Sequence, residues 1–239
     1  MRSVFHDQLE QISEGLVELS RLASEALGRA TKALLEADLS LAEQVISDDE
    51  TIDALRRQID NDTIDALARQ QPVATDLRQL VTTLRMTSDL ERSGDLARHV
   101  AKLTRMRYPD QVLPEDLHAT FAEMAQVAEQ MVLRSGQIIA SLDTHGAAEL
   151  QAQDDTIDRL HRAVFGILLD PKFHGNNQLI IDATLLSRYY ERYADHAVSV
   201  ATRVVYLVTG GWSDDLDADD RSWREHEPVV SHEVPRAEP

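Results

Sequence analysis

From residue 4 to residue 209 the chain repeats apolar side chains every three or four positions and is seldom broken. Leu9, Ile12, Leu16, Leu19, Ala23 and Leu27 form one such stripe, the spacing that gathers side chains on one face of an α-helix. Glycine and proline, nine and seven in 239 residues, are too few to punctuate a series of short strands. No segment alternates as a strand would. The fold class is therefore all-α, with six helices predicted at about 4–37, 40–70, 74–106, 115–141, 147–170 and 177–208. The breaks have their own chemistry. "EADLS" supplies polar turn residues, and "QQP" ends the second helix ahead of Pro72. "YPDQVLPED" reads as a linker in which Pro114, Glu115 and Asp116 start the fourth helix. "DTHG" and "DPKFHGNN" separate the later helices.

The six helices are two copies of three. "DDETIDAL" at 48–55 is echoed by "QDDTIDRL" at 153–160, and "ERSGDLARHVA" at 91–101 by "ERYADHAVSVA" at 191–201. "DTIDAL" recurs at 62–67, but the earlier copy also matches Asp49 with Asp154. The simplest architecture is two tandem three-helix bundles joined by short connections: residues 1–108, then 109–211. Residues 212–239 carry nine acids, three bases and three of the prolines with no helical stripe, the composition of a disordered acidic tail.

Charge narrows the function. With 42 acids against 24 bases, a net charge of −18, the chain repels nucleic acid and anionic lipid. The N-terminal "MRSVFHDQLEQISEGL" has no apolar core of a signal peptide, and no apolar run reaches the length of a membrane span. The absence of cysteine excludes disulfides and thiolate metal sites and fits a cytoplasmic protein.

Four acid pairs spaced i, i+4 fall at equivalent places in the repeat: Asp49/Asp53, Glu91/Asp95, Asp154/Asp158 and Glu191/Asp195. Such residues lie about 40° apart on a helix, close enough to repel and to raise each other's pKa. On a helical wheel Glu91 and Asp95 fall beside Leu77, Leu80 and Leu84, and Glu191 and Asp195 beside Ile180, Val198 and Val205, so the acids interrupt apolar stripes. A multivalent cation would reverse the repulsion; arginines such as Arg92 and Arg192 would do so on a solvated face. Both readings stand on the residues alone. His99, one turn beyond Asp95, offers an imidazole, while His196 points away from the pair. "EDLH" (Glu115–His118) and "DRLH" (Asp158–His161) have the helical di-iron spacing, but the former lies in a first turn and reads as a cap. The pair Asp215/Asp219 is assigned no role. Tyr189, Tyr190, Tyr193 and Tyr206 read as packing, and no nucleotide-binding or nucleophile-elbow glycine motif occurs.

"QQPVATDLRQL" and "LERSGDLARHVAKL" in the first half, with "YERYADHAVSVA" in the second, resemble the PhoU family of phosphate-uptake regulators over about residues 4–209. The ending "LLSRYYERYADHAVSVATRVVYLVTG" is similar to its actinobacterial, PhoY-like branch. The resemblance implies paired three-helix bundles with pseudo-twofold symmetry. It also implies a cytoplasmic, non-enzymatic negative regulator of phosphate uptake and the phosphate-starvation response. Its expected partners are the ATPase of the phosphate ABC transporter and a sensor histidine kinase, with a homodimer as the expected assembly and membrane association only through partners. Carried over by motif, Asp49, Asp53, Glu91 and Asp95 in one bundle and Asp154, Asp158, Glu191 and Asp195 in the other would bind metal. Iron or zinc is expected first, magnesium or manganese next. His99 and Ser199 stand where the family often has Asn, Ser93 and Tyr193 where it usually has Ile, and the loop around "DPKFHGNN" is altered. A carboxylate-bridged di-metal hydrolase or oxidase and a metal-free helical scaffold are the alternative readings.

Overall fold

The apolar stripes become the buried faces of long helices. The computed structural model describes residues 2–211 and contains α1 (Arg2–Glu36), α2 (Leu39–Gln70), α3 (Ala74–Arg107), α4 (Glu115–Ser141), α5 (Thr144–Leu168) and α6 (Asn177–Thr209). There is no strand among the described residues, and none of these helices is long and apolar enough to cross a membrane. The acidic tail expected at 212–239 lies outside the described residues.

Local side-chain chemistry sets the helix ends. Asp38 caps α2, its carboxylate accepting from the Leu41 amide at 3.0 Å, and Asn176 caps α6 through the Leu179 amide at 2.8 Å. Gln71 adopts a left-handed conformation (φ 47) to stop α2 ahead of Pro72, and Gly210 (φ 78) stops α6. The fifth helix starts three residues earlier than periodicity predicts. Asp143 Oδ1 accepts from the His145 amide at 3.0 Å, so "DTHG" is a cap and first turn. Gly146 leaves room for this cap, since a Cβ there would come within 2.6 Å of the Asp143 carboxylate and push it aside. The linker also does more than connect, since Val112 and Leu113 are buried in the core.

Each half packs its three helices on one another, and the halves meet through α1 on α4 and α3 on α6. These contacts join equivalent members of the repeat, as a two-fold relation between the halves requires. One apolar core runs through both bundles, with α2 and α5 flanking the central four helices.

Small residues bring α1 and α4 close together. A Cβ on Gly136 would lie 2.0 Å from Ser20 Oγ, and Ser24 Oγ donates to the Glu129 carbonyl at 3.1 Å. Thr31 Oγ1 donates to Leu27 O at 2.8 Å, so the fully buried Tyr190 hydroxyl, 2.7 Å away, donates to Thr31 and ties α6 to α1. Ion pairs cross from α3 to α6. Arg107 grips Asp182 through Nε at 2.6 Å and Nη2 at 3.0 Å. Asp89 accepts from Arg203 Nε at 2.7 Å, with His196 Nδ1 3.3 Å away.

The wheel reading of α3 needs one correction. Its buried ridge runs through Leu80, Thr83, Thr87, Leu90, Gly94, Ala97 and Ala101, while Leu77 is exposed and Leu84 half-buried. Glu91 and Asp95 therefore flank the ridge rather than interrupt it. In α6, Ile180, Val198 and Val205 are likewise half-buried beside Glu191 and Asp195. The ridge repeats every seven residues and drifts about 20° per heptad from an ideal helix, so a wheel summed over several turns misplaces its edge.

Candidate carboxylate clusters

The seam between α2 and α3 brings the first two acid pairs together. Gly94 lets α2 approach, since a Cβ there would sit 3.0 Å from Ile52 Cδ1. Asp49 is buried; Asp53, Glu91 and Asp95 are half-buried. Burial raises the Asp49 carboxyl above its ordinary range, Arg98 opposes this, and Asp53 and Asp95 add to it. Burial and then Asp95 raise Glu91, against Arg92 and Arg56, and Asp53 adds a further upward push. Asp53 and Asp95 thus each act on both raised acids.

The countercharge comes chiefly from a residue that the sequence reading did not single out. Arg98 spans the seam, Nη1 donating to Asp49 on α2 and Nη2 to Asp95 on its own helix. Arg92 adds a bond to Asp95 at 3.1 Å. Arg98 follows Asp95 by three residues, a spacing visible in the sequence; its reach to Asp49 is not. Next to this seam a cavity of about 220 Å³ opens among α1, α2 and α3, with Glu25, Arg29, Asp48 and Asp49 in its wall.

The second cluster is built on α5 and α6 with a different balance. Glu191 is raised to about 7, by burial first and then by Asp195, with Asp158 adding and Arg188 opposing. Arg188 Nη1 donates to both carboxylate oxygens of Glu191; Arg192, the residue expected beside the pair, does not appear in that role. Asp158 and Asp195 are half-buried beside Glu191, and Asp154 is half-buried one turn earlier on α5. Because Asp53 acts on Glu91 as Asp158 acts on Glu191, the repeat aligns on the copy at 48–55. Asp62, in the other copy, lies at the surface, its carbonyl accepting from Gln8. The repeat keeps Arg92 as Arg192 but not the cations that follow. Val198 stands at the place of Arg98 and Thr202 at that of Lys102. Thr202 instead accepts from Gln151 Nε2 at 2.9 Å.

The histidines serve packing. His99 meets Tyr189 across the α3–α6 contact in a tilted arrangement, ring centroids 5.5 Å apart, and is lowered mainly by burial. His196 turns from Asp195 to Asp89, as expected. His118 bonds the Leu113 carbonyl at 3.2 Å, in keeping with a helix-start role for "EDLH". His161 pairs with the buried Ser187 hydroxyl at 2.6 Å. Among the described residues no three His, Asp or Glu side chains are arranged to hold a metal ion. The arrangement offers two electronegative seams, each neutralised from one side by arginine.

Comparison with known proteins gives a consistent picture. The family model of the PhoU domain matches residues 16–104 and 121–204. The "phosphate-specific transport system accessory protein PhoU homolog 2" of Mycobacterium tuberculosis is 46% identical over 212 residues, 89% of this chain and 100% of that protein. "PhoU homolog 1" of Mycobacterium leprae is 44% identical over 90% of this chain and 97% of its own. Among solved structures, PhoU from Pseudomonas aeruginosa superposes with a TM-score of 0.75 at 28% identity, covering 87% of this chain and 100% of that one. The phosphate transport system regulatory protein PhoU from Streptococcus pneumoniae gives 0.78 at 26% identity, over 88% and 99% of the two chains.

Proposed function

The chain belongs to the PhoU family, and from that membership we propose that it is an accessory regulator of phosphate-specific transport. It acts as a cytoplasmic, non-catalytic adaptor between the transporter's ATPase and a sensor histidine kinase, and represses the phosphate-starvation response when phosphate is plentiful. A homodimer is its proposed assembly. The observation that carries the reading is the end-to-end match to a mycobacterial protein named for that accessory role. Six long helices present broad faces of the kind that partner helices dock on. Deleting the gene, in a strain without paralogues, raises phosphate-starvation transcripts in high phosphate; unchanged transcripts would refute the regulatory role.

Each carboxylate seam is proposed as the seat of a multivalent cation, iron or zinc first, magnesium or manganese next. The donor chemistry fits: the oxygens are all carboxylate, and burial with a neighbouring acid holds Glu91 and Glu191 above the usual range, a penalty that bound positive charge relieves. Asp49, Asp53, Glu91 and Asp95 would hold the ion once Arg98 turns away. Asp154, Asp158, Glu191 and Asp195 would do so in the other bundle once Arg188 releases Glu191. When bound, the ion supplies countercharge and links neighbouring helices. The Arg98 bridge favours a second reading, in which arginine rather than metal neutralises the acids. Elemental analysis of protein purified without chelator separates the two. Metal bound in stoichiometric amount, and lost on replacing Glu91, Asp95, Glu191 and Asp195 by Ala, supports the cation; its absence leaves arginine as the neutralising group. Pull-down with the kinase and the ATPase, with and without metal, then tests whether the cation sets partner affinity.

A further inference from the structure

One end of the α3–α6 contact carries the reverse of the molecule's overall charge. A groove of about 380 Å³ opens there, lined by Leu77, Arg78, Val81, Thr82, Arg85 and Tyr206 together with Ala74. Among the described residues it holds two arginines and no acid, in a chain whose net charge is −18. Leu77 and Val81 are 42% and 41% exposed, an apolar wall open to water. Arg78 lies over the Tyr206 ring at 5.5 Å. It also lies against Gly210, where a Cβ would fall 2.7 Å from Nη1. Gly210 is the first residue after α6, so the chain leaves the helix beside the groove.

We propose that this groove is the docking site of the chain's own residues 212–220, with Trp212 on the apolar wall and the following aspartates on Arg78 and Arg85. The chemistry of "WSDDLDADD" complements that of the groove. It supplies one large aromatic, Leu216, and five aspartates (214, 215, 217, 219 and 220) before the first base, Arg221. The reach is sufficient. Trp212 is two residues beyond Gly210, at most about 7 Å along the chain. Arg78 and Arg85 are two helical turns apart, about 10 Å, and seven residues from Asp214 to Asp220 span that distance. Aspartate–guanidinium pairs are charge-assisted. The tether holds the segment at a high effective concentration beside the groove, whereas the acidic remainder of the body repels it. Docked, the segment covers Leu77 and Val81, so a partner that needs this end of α3 must compete with it.

The chain has two tryptophans, so in a Trp223→Phe background Trp212 is the only one and its fluorescence reports on docking. Acrylamide quenching of Trp212 in the full-length protein is expected to be several-fold weaker than in the same protein in urea. It should rise toward the urea value in R78A/R85A. It should rise equally when the five aspartates are changed to Asn, a variant that alters nothing in the helical body and therefore leaves its fold intact. Raised salt should weaken protection. Trp212 as accessible in native protein as in urea would overturn the proposal, and so would protection that survives both variants. Protection that disappears on dilution would overturn it in favour of docking onto a second copy.

Discussion

Glu129 lies half-buried where α4 meets α1, its carboxylate against Gly28, and burial alone pushes its pKa up. The sign of the consequence follows from linkage. A carboxyl raised in the folded state keeps its proton at a pH where the unfolded chain has released it, so stability is full below the ordinary value of 4.5 and declines as pH rises through the folded value. Asp49, Glu91 and Glu191 act in the same direction. Stability in urea, measured with chelator present, should therefore fall from about pH 4.5 towards neutrality. Glu129→Gln should flatten part of that slope and leave the denaturant dependence unchanged; a slope identical to that of the wild type would contradict this account. At this scale the sequence was only partly readable. The i, i+4 carboxylate pairs were visible, and the fold brings Asp49, Asp53, Glu91 and Asp95 together. Glu129 was invisible, because its burial depends on a helix more than a hundred residues away. The part played by Arg98 was hidden for a similar reason: its contact with Asp49 crosses between helices.

Helices were the most legible level, since a stripe such as Leu9–Leu27 must be buried on one side and the capping residues Asp38 and Asn176 stand next to the predicted starts. The fifth helix was placed late because its first turn contains a histidine and a glycine, which read as loop until the Asp143 cap is seen. What the helical pattern could not specify is how closely two helices approach. Gly136 decides that for α1 and α4. Replacing it with Ala would ordinarily stabilise a helix by up to about 1 kcal/mol. Here the new methyl meets Ser20, whose Cβ is 3.1 Å from its position and whose hydroxyl is engaged with Val17 O at 2.7 Å. Gly136→Ala should therefore destabilise, by about 1–3 kcal/mol for an overpacked contact, in urea unfolding followed by far-UV circular dichroism. Adding Ser20→Gly should recover most of the loss. A Gly136→Ala protein more stable than the wild type would mean that the helices are not in contact there.

At the scale of the whole molecule, the repeat predicted two bundles but not how they join. Asp89 and Asp182 resemble surface acids in the sequence, yet both sit in the α3–α6 contact against arginines from the opposite bundle. These pairs predict an asymmetry. Asp182 has a side chain only 3% exposed, whereas that of Arg107 is 26% exposed. If Arg107 is removed, the carboxylate stays buried with, among the described residues, only Gln178 Nε2 donating to it, at 3.1 Å. If Asp182 is removed, the long arginine turns its head to water. Breaking a pair by removing the exposed partner leaves the uncompensated charge inside. Arg107→Ala should thus lower the urea midpoint more than Asp182→Ala, and the double variant should return to the level of Asp182→Ala. Four of the five tyrosines lie on α6, so with Trp212 and Trp223 both changed to Phe, near-UV circular dichroism at the tyrosine bands reports chiefly on the second bundle while far-UV reports on both. With Arg107 in place the two signals should superpose, because one core runs through both bundles. In Arg107→Ala the near-UV transition should move to lower urea ahead of the far-UV one, as the second bundle loosens from the first. Equal midpoints for the two single variants would show that the carboxylate is not held out of water, and superposed signals in Arg107→Ala would show that the remaining contacts between the halves couple them without the Arg107–Asp182 pair.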